Sequence, residues 1–305
     1  MYYEIENGKV KKTDVKNISL TEKRQYFGWI GIEESEAILP VIGLGSKLLQ
    51  DSFESPSLTY ENHDGFDLIS LNILNHKSLP SEGNRVCVYL GKEMLLFICR
   101  NVNVVAEMLH DMTREGSKAE LDRILSTFFE RLTAKDADRL EKIETEISNL
   151  EDALITSVRK NSVREIIHLR KRLMVLKRYY EQFLNVLDIL QENENDLLDE
   201  RSMLFFKLYS RRVDRLYHSV LNLRDYVTQV REAYQAEVDI SLNSTMKIFT
   251  VITAIFLPLT LIVGWYGMNL QLPEFKWSFG YPMVIILSVA VVTFCLVFFK
   301  KKKWF

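Results

Sequence analysis

A stretch of roughly nineteen residues, Ile248 to Tyr266, holds no charged side chain. A helix of that length crosses the ~30 Å hydrocarbon layer of a bilayer, so this stretch constrains the fold more than any other. A second uncharged run, Tyr281 to Phe299, stops at Lys300-Lys301-Lys302-Lys303. About fourteen residues, Gly267 to Gly280, separate the runs and carry one acid, Glu274, and one base, Lys276. Two helices joined this tightly form a hairpin that returns the chain to the side it came from. Lys247 before the first run and the four lysines after the second place both termini in the cytoplasm, by the positive-inside bias.

The remaining composition bounds the class. With 305 residues, 47% hydrophobic and 26% charged, the chain is too polar for many spans and long enough for one soluble domain plus extra helices. A formal net charge of −2 gives no footprint for nucleic acid. Cys87, Cys99 and Cys295 form no CxxC pair, which suits reduced, structural thiols on a cytoplasmic face. The N-terminal MYYEIENGKVKKTDV shows neither an apolar signal core nor an Arg-rich presequence. These features predict a multi-pass protein of a prokaryotic plasma (inner) membrane. Enzymatic readings lack their parts: His63, His76, His110, His168 and His218 are dispersed, and there is no HExxH or GxxxxGK[ST].

Residues 1–117 read as a small cytoplasmic α/β domain. Tyr26 to Ile32 is aromatic and β-branched, and Phe66 to Ile73 alternates apolar and polar residues as a half-buried strand does. Arg85 to Leu90 and Glu93 to Cys99 flank Gly91-Lys92, the pattern of a hairpin. Ile38 to Leu49 reads as a helix, and Val102 to Met112 as strand then helix.

From Lys118 the period becomes helical. Leu140, Ile143, Ile147, Leu150 and Leu154 form a 3-4-3-4 seam, resumed after Arg159 to Ser162 by Ile166, Leu169, Leu173, Leu176, Tyr180, Phe183, Leu187 and Leu190. Residues 118–198 are thus expected as an antiparallel coiled-coil pair. The acidic cluster Glu192 to Glu200 reads as a solvated helix end, or alternatively as a cation-sensing surface. Phe205, Leu208, Val213, Leu216, Val220, Leu223, Val227 and Val230 then continue a helical pattern, with no proline before Pro258 and no glycine before Gly264. Residues 199–267 are expected as one stalk helix that runs on into the first span, about 100 Å at 1.5 Å per residue. An external loop (268–280), a second span (281–299) and a basic cytoplasmic tail (300–305) complete the chain, an α+β membrane protein.

Along the first span Asn243, Met246, Thr250, Thr253, Leu257, Thr260, Gly264 and Gly267 recur at 3-4 spacing, so they share one stripe. Stripes of small and polar residues also mark close helix packing in membranes. The alternative is a pore face: a two-span chain cannot enclose a pathway alone, and this stripe alternates polar rings with apolar constrictions. Neither span holds an acid, a base or a histidine, the ligands a stripped transition metal wants. Magnesium dehydrates reluctantly and keeps its waters, so neutral oxygens, among them the Asn269 amide, suffice for it.

At Tyr266-Gly267-Met268-Asn269 the sequence resembles the CorA family of magnesium channels, whose signature ends the first span. Asn243 to Thr250, Ile255 to Thr260, Leu272 to Trp277 with Gly280-Tyr281-Pro282, and the Lys300 to Trp304 tail agree with it too. The resemblance covers the last ~65 residues closely and the rest in layout. It implies a funnel-shaped homopentamer with the long helix lining the pore. Gly267, Met268 and Asn269 correspond to its external selectivity ring, Asn269 acting through hydration water. Asn243 and Thr260 correspond to inner polar rings, and Met246, Phe249 and Leu257 to apolar constrictions; Phe249 departs from the more usual leucine. Glu274 corresponds to an acid gathering cations at the mouth. Of the family's regulatory acids, Asp51 resembles one and Glu232 sits near another, while a third position falls on Leu208. Asp214 or the Glu192 to Glu200 cluster are the candidates to substitute there.

The reading that follows is passive influx of hydrated Mg2+, with Co2+ and Ni2+ as secondary cargo, gated by intracellular Mg2+. The alternatives are a zinc-preferring, proton-coupled relative and a membrane-tethered coiled-coil scaffold that transports nothing.

Overall fold

The computed structural model describes residues 1–20, 24–55, 57–74, 83–114, 119–156, 162–268, 279–302 and 304. It divides into two compact units, Met1–Val230 and Arg231–Phe305.

The first unit is built on a seven-stranded sheet. β1 (Tyr2–Glu6), β2 (Lys9–Thr13) and β3 (Gln25–Gly31) form an antiparallel group. β4 (Thr59–His63), β5 (Phe66–Ile73), β6 (Asn84–Gly91) and β7 (Met94–Cys99) form a meander. Parallel pairing of β3 with β7 joins the two groups in the order β2-β1-β3-β7-β6-β5-β4. The hairpin expected around Gly91-Lys92 is present, with Leu90 opposite Leu95. All six residues of β7, MLLFIC, are buried, as a strand covered on both faces requires.

One face of the sheet packs on α1 (Leu39–Ile42) and α2 (Ser46–Glu54), through Ile38, Ile42, Leu49 and Phe53 against Tyr26, Leu68, Tyr89 and Leu96. The single helix expected over Ile38 to Leu49 is broken. Gly43 takes φ +68°, in the left-handed region that ends helices, and Leu44 N–H closes the turn on the Leu39 carbonyl. The alternation along β5 does not mark a solvent-facing side, for most of the strand is buried on both faces. Asp67 and Ser70 are each only 1% exposed, because their polar atoms are paired, as buried polar groups generally are. Asp67 accepts from the Tyr60 hydroxyl and from Asn195 Nδ2, each at 2.6 Å, and Ser70 donates to the Ser52 carbonyl at 3.0 Å.

The other face meets α3 (Val102–Leu109) and α4 (Leu121–Leu132), where Phe97 lies 4.7 Å from Phe128. The strand expected at the start of Val102 to Met112 is absent, because α3 begins at Val102 itself: Asn101 caps it by accepting from Asn103 N–H at 3.2 Å. α5 (Asp136–Thr156) and α6 (Ser162–Glu192) follow, and every position of the expected heptad seam on both is buried. Phe129 joins these layers, stacked on Phe183 at 5.8 Å and edge-on to Phe206 at 5.3 Å. Beside it Asp136, 1% exposed, accepts from the Tyr180 hydroxyl and from Arg139 Nη1, each at 2.8 Å.

α7 (Glu200–Tyr266) is one helix of 67 residues. Asp199 caps it, accepting from Ser202 N–H at 2.7 Å. Its first-unit seam is Phe206, Tyr209, Val213, Leu216, Val220, Leu223, Val227 and Val230, all buried. Phe205 is half-buried and Leu208 is 55% exposed, so the expected seam is one residue out at its start. The correct register keeps unbroken 3-4 spacing, whereas Leu208 to Val213 needed a step of five. The second unit contains the remainder of α7 and α8 (Gly280–Lys301), both apolar and long enough to cross a membrane and almost wholly exposed in the single chain.

Candidate functional site

Which face of α7 meets α8 is set by small and branched residues. Val251 is buried, and Ala254, Ile255, Pro258, Leu259, Ile262 and Tyr266 are half-buried. On α8 the matching set is Met283, Val284, Ser288, Val291, Val292, Cys295 and Phe299. Contact is direct at Cys295, whose Sγ lies 3.6 Å from the Ala254 carbonyl oxygen.

The stripe lies elsewhere. Asn243, Met246, Thr250, Thr253, Leu257, Thr260, Gly264 and Gly267 are all exposed, as is Phe249 beside them. At 3.6 residues per turn their mean direction is about 150° from the α8-facing residues. Packing of the hairpin on itself therefore does not account for the stripe. A groove of about 670 Å³ runs along Leu257, Thr260, Leu261, Gly264, Trp265 and Met268, open at Gly264, where an added Cβ would meet no other group within 4 Å.

The hydroxyls of this face are oriented by the helix itself. Thr250 Oγ1 donates to the Met246 carbonyl and Thr260 Oγ1 to the Phe256 carbonyl, each at 2.8 Å. With the proton committed to the backbone, each oxygen presents only acceptor lone pairs outward. α7 ends where Gly267 N–H reaches the Val263 carbonyl at 2.8 Å, and a Cβ on Gly267 would come equally close to that oxygen. Met268 follows, 37% exposed. Asn269 and Glu274 lie outside the described residues.

The expected regulatory residues lie on separate elements. Asp51 is exposed on α2 and Glu232 is exposed on α7. Asp214 lies 3.6 Å from His218 on the same helix. Within the Glu192 to Glu200 cluster, Asp199 caps α7 and Glu194 accepts from Asn62 Nδ2. The Ser202 N–H holds the Asp199 carboxyl below the usual range, while burial raises that of Asp122, whose Oδ2 accepts from Asp199 N–H at 3.1 Å. Burial also pushes the Cys87 and Cys99 thiols up to about 12, as in inert, structural cysteines. Among the described residues, no three His, Cys, Asp or Glu side chains are grouped to hold a metal.

Pro258 has no N–H for the Ala254 carbonyl, and Cys295 of α8 is the group that approaches that oxygen. The sequence signal for this contact was a proline inside a membrane-length run, which frees the carbonyl four residues earlier.

Known proteins share this architecture. The family model described as "CorA-like Mg2+ transporter protein" matches residues 45–302. The "Cobalt/magnesium transport protein CorA" of Thermotoga maritima is 26% identical over a 319-residue alignment covering 100% of this chain and 91% of that protein. The "Magnesium transport protein CorA" of Escherichia coli K12 is 24% identical, covering 99% of this chain and 98% of that one. The solved structure of the CorA magnesium transporter from Methanocaldococcus jannaschii superposes with a TM-score of 0.82 at 21% identity, covering 100% of this chain and 99% of that chain.

Proposed function

The chain belongs to the CorA-like Mg2+ transporter family, and from that premise we propose that it is a channel for passive influx of hydrated Mg2+, with Co2+ and Ni2+ as secondary cargo. It is a divalent-cation transporter of that family and not an enzyme. Several copies, five by likeness to the family, arrange their α7 stripes around a common axis in the plasma membrane, with both termini cytoplasmic.

The observation that carries this reading is the exposed stripe turned away from α8. A single chain leaves Thr250 and Thr260 uncovered within the membrane-length run, and Asn243 uncovered just before it, a line of outward acceptor oxygens that suits a face turned to water. The chemistry suits a hydrated ion. Mg2+ holds its waters tightly, and those waters direct their hydrogens outward. A pathway for the intact complex must therefore accept hydrogen bonds, and threonines whose protons are committed to the backbone do so. Asn269, at the external end, selects through the same waters, with Gly267 and Met268 shaping the turn and Glu274 gathering cations. Met246, Phe249 and Leu257 supply apolar rings that close by excluding water. Cytoplasmic Mg2+ regulates through Asp51 and Glu232, acids that become part of a site only when copies assemble.

Flux measurement tests the proposal. The full chain in liposomes admits Mg2+ without a proton gradient, ahead of Co2+, Ni2+ and Zn2+. Entry of Zn2+ in preference, or dependence on a proton gradient, replaces it with a zinc-preferring relative. Absence of flux for every divalent ion leaves only a membrane-tethered scaffold.

A further inference from the structure

The end of α8 carries a feature outside the α7 stripe. Phe294 and Phe298 stack along one face at 6.2 Å with planes 23° apart, 70% and 44% exposed, and the Lys302 ammonium lies over the Phe298 ring at 5.1 Å. The chain then folds back. Lys302 N–H donates to the Phe298 carbonyl and Trp304 N–H to the Phe299 carbonyl, both at 3.1 Å, and the indole lies 5.2 Å from the Phe299 ring. Backbone groups thus satisfy these last carbonyls of the helix, and the side chains of Lys300, Lys301 and Lys302 remain exposed. The sequence from Tyr281 to Phe305 contains no Asp or Glu.

We infer that this turn binds an anionic phospholipid of the cytoplasmic leaflet, the lysines holding the headgroup phosphate and the Phe298–Phe294 column receiving the first part of an acyl chain. The inference rests on the membrane-spanning reading of α8 and on its orientation. Topology alone explains a positive charge at this end. It does not explain why the ammonium sits at the head of an exposed aromatic column, or why an amphipathic indole is folded in beside it. Phosphate is the group a lysine ammonium meets as a point charge, and an exposed apolar column next to that charge fits a lipid better than a free anion. Basic residues placed this way gain attraction to an anionic leaflet of about fivefold each.

The test uses the full chain in lipid vesicles. Tryptophan fluorescence is quenched with brominated phosphatidylglycerol or brominated phosphatidylcholine, and Trp304→Phe identifies the Trp304 component. The expected result is quenching of Trp304 at a much lower mole fraction of the anionic lipid. Replacing Lys300, Lys301 and Lys302 with Gln lowers that preference by about fivefold per lysine, and replacing them with Arg keeps it. Should the triple Gln variant not purify, Lys302→Gln alone carries the prediction at one such step. Excess inorganic phosphate leaves the quenching unchanged. Equal quenching by both lipids overturns the inference, as does a preference that survives loss of the lysines, or competition by free phosphate. Quenching by neither lipid removes the membrane reading of α8 itself. No ion movement is read, so failure of the lipid site and failure of the transport reading are separable.

Discussion

The Cys295 thiol approaches the carbonyl oxygen of Ala254 at 3.6 Å, the one oxygen of α7 that Pro258 deprives of its helical donor. Neighbouring helices commonly supply such missing donors in membranes, and side-chain hydrogen bonds between spans average about 0.6 kcal/mol. Cys295→Ala is expected to cost about that much, while Cys295→Ser retains the stability. In the Pro258→Ala background the backbone N–H returns and Cys295→Ala becomes nearly silent. A double-mutant cycle on unfolding in bicelles reads the coupling; independent, additive effects would contradict the assignment.

Asn269→Ala removes one amide oxygen per copy from the proposed external ring. Mg2+ entry into liposomes should be abolished while size-exclusion chromatography shows an unaltered assembly. Normal Mg2+ flux through this variant would sink the selectivity role.

Thr260→Val keeps the shape of the stripe and removes its acceptor. The loss of one hydrogen bond, about 1 kcal/mol, lowers Mg2+ flux at least about fivefold, and Thr260→Ser preserves it. If valine conducts as well as serine, hydration water does not lean on this residue.

Tyr180→Phe deletes the hydroxyl that Asp136 accepts at 2.8 Å inside the first unit. A buried hydrogen bond to a carboxylate is worth about 1.5–3 kcal/mol, so the variant should lose helical signal at lower urea. An unchanged midpoint would show that Arg139, at the same distance, suffices.

Asp122 and Asp199 give opposite pH dependences. Burial raises the Asp122 carboxyl in the fold, so its contribution is fully present below the unfolded value and is lost as pH rises through the folded one. Asp122→Asn, which keeps an oxygen for Asp199 N–H, should therefore unfold at a higher temperature near neutrality, with the gain vanishing in acid. Asp199 is held low by Ser202 N–H, so its contribution exists above the unfolded value and fades as pH falls through the folded one. Asp199→Ala should cost about 1 kcal/mol near neutral pH, as lost caps do, and less in acid. Melting curves across pH, with both variants beside the parent, decide the signs.

Periodicity made much of this fold legible. Leu140 to Leu190 and the two uncharged runs could be read because one repeating contact fixes the identity of many residues. Errors arose where a single residue outweighed the pattern. Gly43 breaks a helix the hydrophobic spacing would continue, and Phe206 with Tyr209 displaces Phe205 with Leu208 because buried partners from α4 and α6 select the register. Asp67 and Ser70 looked solvent-facing because their partners, Asn195 and Ser52, are remote or on another element. Strand order was out of reach for the same reason: the pairing of β3 with β7 spans most of the sheet-forming sequence. The stripe from Asn243 to Gly267 was visible as spacing, whereas only the positions of Ala254 and Cys295 reveal which side of α7 is already occupied.

The parallel pairing of β3 with β7 also has a consequence for handling the protein. β7 is apolar and buried along its whole length, and β3 covers one side of it. A chain shortened past Gly31 would leave Met94–Cys99 as an unpaired rim of open amides and carbonyls, without the lysines that guard the natural rim at β2. Such a fragment should stack with its own kind, so preparations clipped near the amino terminus would be lost to precipitation even with the helices beyond the sheet intact.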